Sequence, residues 1–254
     1  MKSLLRTFVS VAILLGVWQL VYIVGIVPEK YFPSVLSLLA AFWQMLMSGE
    51  LAKGELMTFS RAALGLSAAS LLGVTLAILA DLYPVFGRGF RYISDVLQPI
   101  PPAAVVPMAV FSLGLGIKLY AFVIILVTVW PAYMNGVAAL SSVSPVQLAA
   151  GRSLGCSRLE LLRHIKLPAA MPEIFTGIRY AATIALIAVI VSEMLAGRDG
   201  LGFMIFKKAF ANRTPEVFAL MFVVAINGVA LNALVNGLRW LVTGWHIRMM
   251  ERTE

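Results

Sequence analysis

The sequence predicts an all-α integral membrane protein, and three observations support this class. Hydrophobic residues make up 61% of the 254 residues and charged residues only 13%, and the mean hydropathy is +0.93. A soluble domain has roughly 25% charged and 45–50% apolar residues. The apolar residues are gathered in long runs, several of which reach the ~20 residues that a helix needs to cross a bilayer core. We therefore expect a single membrane domain, residues 1–254, with six spanning helices.

The first two predicted helices differ in length and character. Lys2 and Arg6 precede an apolar run, and residues 1–27 are predicted as a first span with its N-terminus inside. This run is too long for the apolar part of an ordinary signal peptide, and no small-residue cleavage site follows it before Pro28. Residues 33–49 are shorter and amphipathic, which favours a helix lying at the membrane interface.

Five further apolar segments are predicted to span the membrane: residues 61–82, 98–117, 119–140, 174–196 and 217–243. Gly65 and Gly73 would let the helix that contains them approach its neighbours closely. The prolines of residues 101–107 predict a kinked or offset helix start, which is either a packing kink or a hinge beside a translocation path. Residues 197–216 are predicted as a polar outer loop.

Charge supports an orientation in which both chain ends are cytoplasmic. Lys and Arg are somewhat more numerous in the segments assigned to the inside than in those assigned to the outside. Short cytoplasmic loops of membrane proteins carry such an excess. The topology expected from this pattern is multi-pass.

A polar stretch, residues 144–172, is the longest interruption between two strongly apolar segments. It contains one acid, Glu160. Its basic residues are Arg152, Arg158, Arg163, His164 and Lys166. A basic pair of short helices between two spans favours a docking surface on the cytoplasmic face. The alternative is adsorption to acidic lipid head groups.

Turn and cap signals divide residues 145–166 into two short helices. Gly155 and Cys156 lie at the break, where a helix end favours glycine in a left-handed conformation. Ser144 with Gln147, and Ser157 with Glu160, have the spacing of capping boxes. Leu167-Pro168 is predicted to close the second helix, because the residue before a proline avoids the α region.

The same stretch resembles the EAA loop of ABC importer permeases, whose pattern is Glu-Ala-Ala, three residues, Gly, nine residues and Ile-x-Leu-Pro. Gly155, Ile165 and Leu167-Pro168 match in place, whereas Ala149 stands where that family has Glu and Gly151 where it has Ala. The resemblance implies that the loop forms coupling helices seated on an ATP-binding subunit. The residues given this role are Ala149, Ala150, Gly151, Arg152, Leu154, Gly155, Cys156, Ser157, Arg158, Leu161, Ile165, Leu167 and Pro168.

Three other stretches, residues 17–20, 97–102 and 111–116, are similar to the branch of these permeases that imports nitrate, sulfonates, taurine and bicarbonate. Membership would imply the type I, MetI-like permease fold and a homodimer with the path at its two-fold axis. It would also imply two ATP-binding subunits and an extracytoplasmic substrate-binding protein. The implied function is ATP-driven import of a small anionic solute by alternating access. The implied localisation is the plasma membrane of a bacterium.

Polar residues inside the predicted spans are candidates for the translocation path. Glu193, Thr183 and Arg179 follow one another at helical spacing on one predicted face. A charge within a span is costly and faces protein or water, so Glu193 is either satisfied by a neighbour or lines the path. Asn135 and Asn232 lie within other spans, and interhelical hydrogen bonding is the alternative reading of Asn232.

The chain lacks the motifs of a stand-alone ATPase. No Gly-x-x-x-x-Gly-Lys-Ser/Thr occurs, so ATP is expected on a partner subunit and no cofactor is expected on this chain. Two distant histidines suggest no metal site, one cysteine excludes an internal disulfide, and the scattered charges argue against nucleic acid. The alternatives are an importer of an uncharged or heterocyclic ligand such as a pyrimidine or a riboflavin-like compound, a secondary transporter acting alone, and a membrane enzyme.

Overall fold

A computed structural model of the chain describes residues 2–250, with the side chains of residues 6, 9, 10 and 12–244. Residue 1 of the predicted first span and residues 251–254 of the predicted domain lie outside this part. The described residues form helices joined by short turns, with no strand among them. The helices are α1 Lys2–Val24, α2 Val35–Met47, α3 Glu50–Leu82, α4 Pro84–Leu97, α5 Pro102–Leu113, α6 Ile117–Ser141, α7 Pro145–Ser153, α8 Arg158–Leu161, α9 Leu167–Ala196, α10 Leu201–Phe210 and α11 Thr214–Met250.

Four stretches of helix are long and apolar enough to cross a membrane: α3, α6, α11, and α8 and α9 taken together over Arg158–Ala196. A fifth is obtained if the bent pair α4 and α5 is counted as one span. Helix α1 covers most of the predicted first span in 23 residues. The described part of the chain thus contains four or five spans by length and composition, and the count of six remains a prediction.

Helix α3 begins at Glu50, well before the predicted span start at residue 61. Gly49 occupies the N-cap with φ 74°, a left-handed conformation that suits glycine. Residues 50–60 contain no proline, and the helix continues through them without interruption. As a result Arg61 lies inside a long helix, not at the boundary of a span.

The proline-rich segment interrupts the helix more sharply than the predicted kink. Helices α4 and α5 meet at an angle of 97°, with Pro99 and Pro101 in the break and Pro102 at the start of α5. Proline lacks the N–H that would continue the helix. The 12 residues of α5 rise about 18 Å, less than the ~30 Å core, so the helix is shorter than the span predicted over residues 98–117, and that span stays a prediction.

Residues 197–216 were expected to form a polar loop, but they contain the ten-residue helix α10. Leu201 and Met204 of this helix are buried against the bundle, whereas Phe210 is exposed. The helix therefore covers one end of the bundle with its apolar side. Composition alone did not predict α10, because glycines precede the helix and charged residues lie at and after its C-terminal end.

Helices α3, α6 and α9 pack together at the centre, with α11, α5 and α10 around them. Gly65 and Gly73 permit the close approach of α3 and α6, as the sequence predicted. A methyl group on Gly73 would lie only 2.7 Å from the carbonyl oxygen of Val129. At one end α3 and α6 finish and α9 begins, and we call this the loop end; the opposite end is the far end.

Candidate functional site

Helix α7 ends in a hydrogen-bonded turn at the predicted break. Gly155 has φ 81° and donates its N–H to the carbonyl of Arg152 at 3.0 Å, while the N–H of Cys156 bonds to the carbonyl of Gly151 at 3.1 Å. These two bonds form a Schellman motif, which satisfies carbonyls that a helix end otherwise leaves free. The turn is therefore a defined structure with a fixed exit direction.

Helix α8 begins with the predicted capping box. The N–H of Ser157 donates to Oε2 of Glu160 at 2.8 Å, and the N–H of Glu160 donates to Oγ of Ser157 at 3.4 Å. The hydroxyl of Ser157 also donates to Oε2 of Glu160 at 2.7 Å. This bond and the one from the backbone N–H of Ser157 lower the pKa of Glu160, so the box persists as pH falls until that lowered pKa is reached. The box predicted at Ser144 is wrong, because its side chain makes no capping bond.

The sequence predicted that the second short helix ends at Leu167-Pro168, but the helix continues past these residues. Residues Leu162–Lys166 form a π turn, in which the N–H of Leu167 bonds to the carbonyl of Leu162, and α9 follows directly. A proline ring clashes with the carbonyl four residues before it and provides no N–H. The wider turn just before Pro168 accommodates both effects, and α8 is joined to α9 without a loop.

Two polar contacts attach this segment to the end of α3. Nη1 of Arg158 donates to the carbonyl of Leu82 at 3.0 Å, and Nζ of Lys166 forms a salt bridge with Asp81 at 2.5 Å. Exposed ion pairs are worth little, but this one is partly buried on both sides, at 21% and 17% side-chain exposure. The segment is thus fixed to two spans, α3 and α9.

Close packing makes the two short helices one unit. A methyl group on Gly151 would lie 2.5 Å from Cδ1 of Ile165 and 2.6 Å from Cδ2 of Leu161. Glycine is therefore the residue that lets α7 lie directly on α8 and the π turn. Ala149 and Ala150, which precede Gly151 in α7, are exposed.

The outer surface of this unit is apolar at three positions. Val146, Leu154 and Leu159 are 77%, 83% and 63% exposed. Exposed Arg152, Arg158 and Arg163 accompany them on the same segment. A rigid segment with exposed apolar side chains and basic residues has the features of a protein-docking surface.

A buried polar cluster lies at the far end, between α3, α9 and the start of α10. Glu193 is fully buried; its Oε1 accepts from Nη1 of Arg61 at 2.7 Å, and its Oε2 accepts from Oγ1 of Thr58 at 2.7 Å and from the N–H of Gly202 at 3.0 Å. Arg61 also pairs with Asp199 at 2.5 Å. We call these five residues the Glu193 cluster. It holds two carboxylates around one guanidinium, and the buried carboxylate of Glu193 is satisfied by its three neighbours.

Arg61 also lies over an aromatic ring, with its Cζ 4.1 Å from the ring centroid of Tyr120 on α6. The cluster therefore links α3, α6, α9 and α10. The sequence reasoning singled out Glu193 but missed Thr58, Arg61 and Asp199. A signal existed: two opposite charges within long apolar segments are expected to pair.

The other predicted path residues are dispersed. Arg179 and Thr183 are exposed on one face of α9, away from the buried Glu193. Asn135 is half-buried, donates to the carbonyl of Pro131 in its own helix and packs on Gly177 of α9. Asn232 donates to the carbonyl of Gly228 in its own helix, and its side chain forms no interhelical hydrogen bond among the residues that the structure describes.

A bundle of long apolar helices with a preorganised basic segment at one end defines the class of the protein, a helical integral membrane protein. The chain belongs to the family described as binding-protein-dependent transport system inner membrane component, whose model matches residues 69–243. The resemblance inferred from the loop is thereby confirmed, and the alternatives of a membrane enzyme and a stand-alone secondary transporter are set aside.

Several curated relatives align over nearly the whole chain. The taurine transport system permease protein TauC of Escherichia coli is 30% identical over 242 residues, covering 93% of this chain and 88% of the relative. The nitrate import permease protein NrtB of Leptolyngbya laminosa is 28% identical, covering 90% and 84%. The riboflavin transport system permease protein RibX of Chloroflexus aurantiacus is 31% identical, covering 93% and 88%.

A solved structure shares the fold. A chain of the MetNI methionine ABC transporter in an inward-facing conformation superposes with a TM-score of 0.67, covering 78% of this chain and 98% of that chain at 15% identity. The expected MetI-like arrangement of helices is therefore confirmed at the level of fold.

Proposed function

We propose that this chain is the membrane subunit of an ATP-driven importer and that residues 145–166 transmit the motion of a separate ATP-binding subunit to α3 and α9. The observation that carries this proposal is the construction of the segment. It is capped, closely packed and bonded to α3, it continues directly into α9, and it exposes apolar side chains outward. A stiff connector can pass on a displacement that a flexible loop would absorb.

The assembly we propose contains two copies of this chain, two ATP-binding subunits and an extracytoplasmic substrate-binding protein. Six spans, with α1 as the first, place the loop end and both chain ends in the cytoplasm, and α2 lies at the interface. The relatives named as permeases of transport systems support this assembly. The chain itself uses no cofactor in this scheme, because ATP binds the partner.

The exposed face of α9 is our candidate for the lining of the path in the two-chain assembly. Arg179 and Thr183 project from the middle of an apolar helix, and polar side chains there are costly against lipid. They are therefore expected to face water or the second copy. A cation at Arg179 suits a small anionic solute.

The substrate class we propose is a small anion such as a sulfonate or nitrate, following the taurine and nitrate relatives. The riboflavin relative is 31% identical, compared with 30% and 28% for the taurine and nitrate relatives, and it supports a heterocyclic ligand as the second candidate. Deletion of the gene for this chain in its own organism is expected to abolish growth on taurine as sole sulfur source or on nitrate as sole nitrogen source. Growth on sulfate with ammonium is the control, and loss of riboflavin uptake alone would favour the second candidate.

Replacing Gly155 with leucine is expected to lower ATP-driven uptake roughly tenfold, equivalent to about 1.4 kcal/mol in the barrier. The left-handed conformation at this position costs a residue with a side chain about 1–2 kcal/mol. Beyond the adjoining residues no atom lies within 4 Å of an added Cβ, so the expected cost at this atom is backbone strain. Uptake is measured in whole cells and normalised to permease in the membrane fraction.

The matched control is Gly155→Asn, because asparagine tolerates the left-handed region better than other residues with a side chain. It should retain most of the uptake. Equal uptake by the leucine variant and the unaltered protein, at equal membrane abundance, would show that the segment does not couple the two subunits.

A further inference from the structure

A cavity of about 500 Å³ lies at the loop end between α3, α4 and α6. Its floor is apolar, formed in part by Ala77, Ala80 and Val137, and Arg88 and Arg91 of α4 reach it from one side. This volume falls within the range of ~300–1,000 Å³ typical of small-molecule sites. Nothing in the transport scheme above uses this cavity.

The charge in the cavity is positive. Arg88 and Arg91 are three residues apart, so they project from one face of α4. Neither guanidinium forms a salt bridge with any residue that the structure describes. The acid in the lining, Asp81, is already paired with Lys166. Asp95 lies four residues after Arg91 on the same face of α4 and forms no salt bridge with a residue that the structure describes. Two cations and one acid of α4 therefore lie beside an apolar floor, with a net positive charge.

Helix α4 has the features of a helix lying at the membrane surface. Val85, Tyr92 and Val96 are exposed at 76%, 76% and 70%. Arg88 lies beside them, three residues after Val85 and four before Tyr92, so its charge borders the exposed apolar side chains. The helix turns by 97° from α5, which packs along α6 and α9. An amphipathic helix at the end of a bundle buries its apolar side at the boundary between headgroups and acyl chains.

We propose that this cavity binds the phosphate of an acidic phospholipid, held by Arg88 and Arg91, with the glycerol and first acyl carbons on the apolar floor. Guanidinium groups match phosphate oxygens through paired hydrogen bonds. Basic pockets between membrane helices are known sites for lipid head groups. The apolar floor and the adjoining exposed side chains of α4 favour a lipid over a free anion, which has no apolar part to bury.

The test is native mass spectrometry of the full-length permease, purified in detergent, delipidated and titrated with phosphatidylglycerol. The unaltered protein is expected to bind phosphatidylglycerol at least tenfold more tightly than phosphatidylcholine. The double variant Arg88→Gln/Arg91→Gln is expected to lose this preference. Ala138→Trp, which fills the cavity at an exposed lining position and removes no charge, is expected to lose it as well.

Arg163→Gln is the matched control, since it removes an exposed positive charge at the same end but outside the cavity, and it should keep the preference. Equal binding of phosphatidylglycerol to the double variant and the unaltered protein overturns the proposal. Displacement of phosphatidylglycerol by millimolar inorganic phosphate or taurine also overturns it, because the cavity would then be a site for soluble anions. Circular dichroism confirms that each variant is folded.

Discussion

Replacing Arg61 with methionine is expected to destabilise the protein by about 3–5 kcal/mol, the cost of leaving one member of a buried ion pair without its partner. Glu193 would remain fully buried with only Thr58 and the N–H of Gly202 as donors. Asp199 would also lose its contact, so the start of α10 would be held less firmly. Unfolding of the purified protein in mixed micelles of increasing SDS content measures this free energy.

Two controls separate charge from packing in this experiment. The double variant Arg61→Met/Glu193→Gln contains no uncompensated buried carboxylate, so it should be more stable than Arg61→Met alone. Arg198→Met removes an exposed arginine close to Asp199 in the chain, and we expect less than about 0.5 kcal/mol of change. If Arg61→Met matched the unaltered protein in stability, the Glu193 cluster would not hold the far end together.

The helices of this fold were largely predictable because lipid imposes a simple rule. Every backbone group in the bilayer core must be satisfied within the chain, so long apolar runs become helices. The local turns were predictable for an equally local reason: Gly155 with Cys156, and Ser157 with Glu160, are short-range signals that do not depend on tertiary contacts.

The features that prediction missed depend on contacts across the bundle. Arg61 was assigned to a span boundary because a lone charge usually lies there, and its partner Glu193 is far away in sequence. The buried side of helix α10 is defined by the bundle that the helix covers, and the length of its apolar run does not predict that contact. Composition likewise did not show that the prolines before α5 turn the chain by 97°.

Changing Pro168 to alanine is expected to reduce ATP-driven uptake by roughly tenfold or more while leaving membrane insertion intact. Alanine supplies the missing N–H and removes the ring, so the π turn over Leu162–Lys166 can convert to α-helix. In that conversion the wide turn becomes one residue shorter, with no change in sequence, because its hydrogen bonds span four residues and not five. Since a helix turns once in 3.6 residues, α8 rotates by about 100° relative to α9. The docking surface would then face a different direction.

The rotation also separates the contacts that fix the segment, because Arg158 and Lys166 reach α3 only in the present register. A matched control is Pro172→Ala, which changes a proline inside α9 beyond the π turn and should leave α8 in place. Uptake and binding of the purified ATP-binding subunit are measured for both variants. Full uptake by Pro168→Ala would mean that the direction of α8 is not what transmits the motion.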